Sequence, residues 1–435
     1  MMKNEVLMTG LGVVTPIGST KREFWSGILQ GRSGLRTEDG IDVSDLPCGW
    51  VSGVIDEHDR DTIDKAWGSA HRTWGDRIML SAIFEAVEDA RLAKILPERV
   101  GFIWAQSCPS SGSSPSEYER FRQEQVELYN AAGDSAAEII KFLDAKYGSM
   151  SERNYTFASD VARQLDRVLV PTRVEATCSG GLRAIIEGVR LIQSGEVEVA
   201  VVAAGVARRN HYVYSQYAQL TAMSHWKGSP QQASMPFDIR RSGMVISEAA
   251  GAIILEAASH VRRRNDVQPY CTLGGWGLAV GTEHVTAPRA YLVEQVIEEA
   301  LKNSGVSKDE IDAVSVHGTS TKLNDLTEAA ALEKIFGSRI KDIEILALKA
   351  LTGHASAASG VIEVISSALS LTAGIVPTVP TCVEKDPKCR VNIRKEVANK
   401  RLRNIMKDSF GFGGQYASMV MKYTDGSRRI DVSAM

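Results

Sequence analysis

The feature that most constrains this chain is a series of short, almost wholly apolar runs set between stretches of helical spacing. Val197–Ala204 reads VEVAVVAA, and Ala249–Leu255 reads AAGAIIL. Such runs are expected of strands covered on both faces. Glu5–Thr9, Val100–Trp104, Thr272–Val280 and Ala313–Val316 also read as strands. Phe24–Leu29, Met79–Ala93 and Val293–Ser304 carry apolar residues at helical spacing. Strands alternating with helices predict an α/β fold with mostly parallel strands. A polar basic run at Arg262–Asn265 marks a boundary, after which the pattern restarts. The expectation is two similar halves, residues 1–260 and 261–435.

The opening reads strand, glycine turn, helix. Gly10 and Gly12 suggest a dinucleotide loop, but Thr15 stands where its third glycine would be and Pro16 follows. A tight turn is the better reading. Residues of about 107–164 differ in texture: SCPSSGSSPS, then polar helical stretches around Tyr118–Asn130 and Ala136–Tyr147. This insert is a cap over a site, an oligomer contact or surface decoration.

With 435 residues and 44% hydrophobic content the chain can bury a large core. A net charge of -3 offers no basic excess for nucleic acid. No membrane span or signal peptide is expected. The six cysteines, at 48, 108, 178, 271, 382 and 389, form no C-x-x-C pair. That scatter suits a reduced, cytoplasmic protein without a structural metal.

Four segments carry chemistry. In VEATCSGGLRAIIEGVRLI, Val174–Thr177 reads as a short strand, and a helix starts just past Gly180. Cys178 then sits near a helix N-terminus, where the dipole favours a thiolate, as in a nucleophile elbow. A buried inert cysteine fits the local context equally well. His317 ends a strand and is followed by Gly318, Thr319, Ser320 and Thr321, a hydroxyl-rich loop suited to a carbonyl or carboxylate. Asp325 lies eight residues on and can orient a neighbour. Lys349 and His354 flank a glycine turn before an apolar helix. A lysine at an apolar strand end needs a partner, and Glu363 is the candidate. Snorkelling and capping are the bland alternatives. The run SFGFGG near the C-terminus lets backbone approach a ligand closely, or makes a hairpin.

TCSGG, HGTST, the Lys349–His354 pair and SFGFGG, in this order, resemble the four signature segments of the elongating β-ketoacyl-ACP synthases. The opening TGLGVVTPIGSTKREFWSGILQGRSG and the stretch PFDIRRSGMVISEAAGAIILE are similar to that family's first and mid-chain blocks. The likeness spans nearly the whole chain except roughly 105–170. It implies a thiolase-like five-layered αβαβα fold of two similar halves, usually a homodimer. It implies decarboxylative Claisen condensation of an acyl thioester with a malonyl thioester, carried by acyl carrier protein or CoA, with no metal or organic cofactor. By position it implies that Cys178 is the acylated nucleophile, that His317 and His354 promote decarboxylation, and that Lys349 holds the charge balance of the site, with Glu363 as structural support. The resemblance further implies that Phe412 is the gating residue and shares the oxyanion site with Cys178, and that Thr319 and Thr321 line the malonyl or pantetheine end. Asp325 is expected as structural support.

The chain departs from the pattern at Ser242, where the family has an acidic residue, and at Ser247 and Ala249, where it has glycines. Asp408 replaces an asparagine. In Asp61–Arg77, the family's carrier-contact stretch, Lys65, Arg72 and Arg77 are interspersed with Asp64 and Asp76. Such divergence points to specialised, polyketide-type biosynthesis more than to housekeeping fatty-acid synthesis. The rivals are a thiolase, a ketosynthase-like partner subunit of a heterodimer, and a relative passing the acyl group from Cys178 to an amine or alcohol.

Overall fold

The computed structural model describes residues 5–68, 72–92, 95–106, 123, 150–207, 209–264, 266–282, 284–424 and 426–428. Ten strands form one sheet: β1 Val6–Val14, β2 Arg99–Ala105, β3 Val168–Val174, β4 Val199–Val206, β5 Ala249–Ala257, β6 Cys271–Val280, β7 Ala313–Ser315, β8 Glu344–Leu346, β9 Asn404–Gly411 and β10 Gln415–Lys422. Their order is β8-β7-β9-β10-β6-β1-β5-β4-β2-β3. The first five strands lie as 3-2-4-5-1, and the last five lie in the same relative order. Pair directions repeat as well. β1–β5 and β5–β4 are antiparallel, while β4–β2 and β2–β3 are parallel. β6–β10 and β10–β9 are antiparallel, while β9–β7 and β7–β8 are parallel. Three residue pairs between Val6–Met8 and Cys271–Leu273 join the two sets.

The sheet is therefore mixed, and the expectation of mostly parallel strands is corrected. Apolar periodicity reports burial on both faces but carries no direction. β9 and β10 are joined by a short glycine turn, which forces antiparallel pairing.

Helices Gly180–Gln193 and Ser356–Ala373 each follow the third strand of their set and pack on each other. The approach is close: a Cβ on Gly181 would stand 2.3 Å from the Ala357 carbonyl oxygen, and one on Gly360 2.7 Å from Leu182 N. The first helix also packs on β2, β4 and β10, the second on β4, β5 and β9. These helices are thus the middle layer between the two half-sheets. Trp74–Asp89 covers the outer face of β1, β5 and β4, and Ala290–Ser304 covers β6 and β10. The five layers enclose three apolar clusters, one around the central helices and one beneath each outer layer. Ser356–Ala373 is apolar and long enough to cross a membrane by length and composition. It is instead a core helix, 94% buried inside the protein.

Gly10 and Gly12 lie inside β1, not in a turn. A Cβ on Gly10 would meet the Ala86 carbonyl oxygen at 2.1 Å, and one on Gly12 that of Ala82 at 1.9 Å. They let the outer helix lie against the strand. The residues before Cys178 are also corrected: the strand ends at Val174, and Thr177–Ser179 is a single 3₁₀ turn. Most of the insert at 107–164 lies outside the described residues, including Tyr118–Asn130 and Ala136–Tyr147. Its last part belongs to helix Met150–Leu165, whose Val161 is fully buried and whose Phe157 ring lies 6.0 Å from that of Phe102.

Candidate active site

Cys178 stands on the 3₁₀ turn that leads into Gly180–Gln193, and its side chain is buried. The preceding Thr177 has φ of 46°, a left-handed conformation unusual for a β-branched residue. The turn is held from the other half of the chain. Thr177 Oγ1 donates to the Phe412 carbonyl at 3.0 Å, and Ser409 Oγ donates to the Cys178 carbonyl at 3.2 Å. Strand β9 comes so near that a Cβ on Gly411 would lie 2.2 Å from Thr177 Oγ1 and 3.2 Å from Cys178 N. Gly413 and Gly414, with φ of 77° and 70°, then turn the chain into β10. The SFGFGG run is thus both a hairpin and a close backbone approach.

His317 and His354 join Cys178 in the lining of one cavity of about 280 Å³. Their rings lie edge to face with centroids 5.4 Å apart, and Phe410 packs against His317 at the same separation. His317 follows the end of β7. Its backbone N–H donates to Glu328 Oε1 at 2.6 Å, and Gly318 N–H donates to Oε2 at 2.9 Å. Burial holds the His317 imidazole well below its ordinary pKa, with further depression from Lys349, His354 and Lys407. Its Nδ1 is buried and has no hydrogen-bond partner among the described residues. The His354 backbone is fixed by the mid-chain block: its N–H donates to Val245 O at 2.7 Å, and its carbonyl accepts from Ser247 N at 3.2 Å. His354 Nδ1 lies 3.1 Å from Ser359 Oγ, which accepts from Ala355 N at 3.0 Å. Ser356, φ 45°, puts its Oγ 3.8 Å from Cys178 Sγ.

Behind the histidines is a buried charge cluster. Lys349 Nζ donates to Glu363 Oε1 at 2.5 Å and to the His317 carbonyl at 2.6 Å. Burial lowers the Lys349 pKa, with the Glu363 carboxylate opposing that shift. Lys407 Nζ lies 2.8 Å from Glu363 Oε2. Burial raises Glu328 to about 8 and Asp408 to about 6.

The remaining sequence candidates divide. Thr319, Thr321 and Phe412 line the cavity, and the two threonine hydroxyls are 2.9 Å apart. Asp325 does not line it. Asp325 accepts from Phe237 N at 2.9 Å and lies 3.6 Å from Arg241 Nε, so it ties the HGTST loop to the mid-chain block. Ser242 lines the cavity and accepts from His225 N at 3.2 Å. Of the basic residues in 61–77, Arg72 is bound bidentately to Asp160 and Arg77 pairs with Asp64, which leaves Lys65 exposed. Sequence reasoning missed Lys407, Glu328, Ser356, Ser359 and Ser409. A readable signal existed for Lys407 and Asp408: two charges side by side inside the apolar strand NIMKDSFG.

A doubled strand order with two central helices between half-sheets is the thiolase-like fold. A solved type II polyketide acyl-carrier protein complex with its ketosynthase bound to the hexaketide shares it, with a TM-score of 0.82 at 24% identity, covering 97% of this chain and 100% of that one. The family profile for the β-ketoacyl synthase N-terminal domain matches residues 3–260, and the profile for the C-terminal domain matches residues 270–382. The chain belongs to the β-ketoacyl synthase family of acyltransferase-type condensing enzymes. It is 26% identical to the 3-oxoacyl-[acyl-carrier-protein] synthase 2 of Synechocystis sp., over 97% of this chain and 98% of that protein. It is also 26% identical to the tetracenomycin polyketide synthase ketoacyl synthase alpha subunit of Streptomyces glaucescens, over 96% and 97% of the two chains.

Proposed function

We propose that this enzyme joins an acyl thioester to a malonyl thioester with loss of carbon dioxide, in polyketide-type biosynthesis. The observation that carries the reading is that Cys178, His317 and His354 line one cavity although they come from separate stretches of chain. The Cys178 thiolate, favoured by the helix start behind it, attacks the acyl thioester. The carrier thiolate leaves, and the acyl group stays on sulfur. A malonyl thioester then enters against Thr319 and Thr321. Its C–C bond to the carboxylate breaks, carbon dioxide departs, and the electron pair becomes an enolate.

An enolate oxygen needs N–H donors and no strong base. The depressed pKa of His317 supports a neutral imidazole for that task. We assign the His354 proton to Nε2, because the Ser359 hydroxyl already accepts from Ala355 N and has its own proton to give to Nδ1. The enolate carbon attacks the acyl-cysteine, backbone N–H groups of Cys178 and Phe412 hold the tetrahedral oxyanion, and the thiolate is released. Lys349 and Glu363 hold the charge and the backbone behind His317.

The division into halves at about residue 260 gives the nucleophile to residues 1–260 and the histidines to 261–435. We assign acyl carrier protein as the thioester carrier and a ketosynthase-like chain, identical or paired, as the partner subunit. This rests on the carrier complex among the fold's relatives and on the alpha-subunit relative. The scattered thiols suit the reducing cytoplasm. The test is radiolabelled carbon dioxide release from a malonyl thioester. His317→Ala is expected to lower it by roughly 10²–10³-fold while Cys178 still takes up acyl groups. Undiminished release by the variant would refute the assignment.

A further inference from the structure

We infer that Lys407 is a second ammonium that positions His317, acting with Lys349 around the shared carboxylate of Glu363. The inference rests on the decarboxylating role given to His317 above. Lys407 is fully buried on β9 and is paired across the sheet with Ser315 of β7. Its Nζ donates to the Ser315 carbonyl at 3.3 Å and also to the Asp408 carbonyl, and it lies 2.8 Å from Glu363 Oε2. Lys349 Nζ reaches the other carboxylate oxygen of Glu363 and donates to the His317 carbonyl.

Glu363 therefore gives one oxygen to each ammonium, and each ammonium holds one carbonyl of the segment Ser315–His317. Residues two apart on extended backbone point the same way. The two lysines thus grip consecutive same-side carbonyls at the point where the strand hands over to the histidine. Without Lys407, the Ser315 carbonyl loses one buried donor and Glu363 Oε2 loses its paired cation. The charge matters as well as the grip. The Lys407 ammonium adds to the burial, Lys349 and His354 effects that keep the His317 imidazole uncharged, the state in which it can enter the cavity as a neutral donor. Two cations against one directly paired carboxylate is an expensive arrangement for stability alone. It is understandable where a fixed positive field is wanted behind a neutral imidazole.

Lys407→Met, similar in length and uncharged, tests the role. Acyl uptake by Cys178 is expected within a few-fold of the unmodified enzyme. kcat for carbon dioxide release is expected to fall about 10- to 100-fold, with KM for the malonyl thioester changed by less than about twofold. The acid limb of the pH–rate profile is expected to move to higher pH, because loss of a nearby cation makes His317 easier to protonate. A merely structural lysine would lower thermal stability and leave that limb in place. If Lys407→Met does not accumulate as folded protein, Lys407→Gln, which keeps a donor without the charge, is expected to show the same displacement of the limb. Variants with an unmoved limb and undiminished kcat would overturn the role of Lys407. Absence of carbon dioxide release by the unmodified enzyme would instead overturn the ketosynthase reading itself.

Discussion

The two halves share a strand order, strand directions and the placement of a helix after the third strand, yet they carry opposite chemistry. In the first half that strand leads into TCSGG, small residues that leave the Cys178 sulfur at the start of Gly180–Gln193. In the second half it leads to Lys349, His354 and a helix that bears Glu363 in its buried interior. Because the central helices pack on each other, the loops before them face one cavity. Cys178 Sγ lies 3.8 Å from Ser356 Oγ, at the first residue of the opposite helix. The lesson is that the repeated scaffold supplies proximity, and the strand-end residues supply the side chains that line the cavity. One half places a buried sulfur at a helix start, while the other places two imidazoles against a buried charge cluster.

The comparison is broken most severely by removing the carboxylate at the centre of the charge cluster behind the second half's imidazoles. Glu363→Gln leaves two buried ammoniums without their shared carboxylate, and the expected loss is about 3–5 kcal/mol of unfolding free energy by denaturant titration. A loss under about 1 kcal/mol would mean that the cluster is not the tension point of that half.

Asp408→Asn sharpens the contrast through pH. Burial raises Asp408 to about 6 from an unfolded value near 3.8. A raised carboxyl pKa means that the folded state holds the proton more tightly. Its contribution to stability is therefore complete below about pH 4 and is lost as pH rises through about 6. The variant is expected to match the parent near pH 4 and to exceed it by up to roughly 3 kcal/mol at pH 7. Parallel stability curves would contradict the raised pKa.

Gly411→Ala acts at the seam. The new methyl group would meet Thr177 Oγ1 and push the second half's strand off the turn that carries Cys178. A loss of about 1–3 kcal/mol in stability is expected, with slower acylation of Cys178 by stopped-flow. Unchanged acylation would show that the turn keeps its shape without β9.

Much of this was legible in the chain because it is local. TCSGG announced a helix start at Gly180, and the Lys349–His354 spacing announced a turn before an apolar helix. Lys349 pairs with Glu363 as its apolar surroundings required. The unread parts depend on neighbours distant in sequence. Strand direction is set by connections, not by periodicity. Gly10 and Gly12 were read as a turn because nothing in MTGLGVV reveals the helix backbone that lies over them. Glu328 looks like a surface position in LNDLTEAAAL, and only the fold brings it beneath the amides of His317 and Gly318. Lys407 was visible as a costly charge in an apolar strand, but its partners were not.

The most direct measurement is intact-mass spectrometry of the protein after incubation with acyl-carrier and acyl-CoA thioesters. The unmodified enzyme is expected to gain one acyl group, and Cys178→Ala is expected to gain none. An equal adduct on Cys178→Ala would place the nucleophile elsewhere and contradict the role assigned to this sulfur.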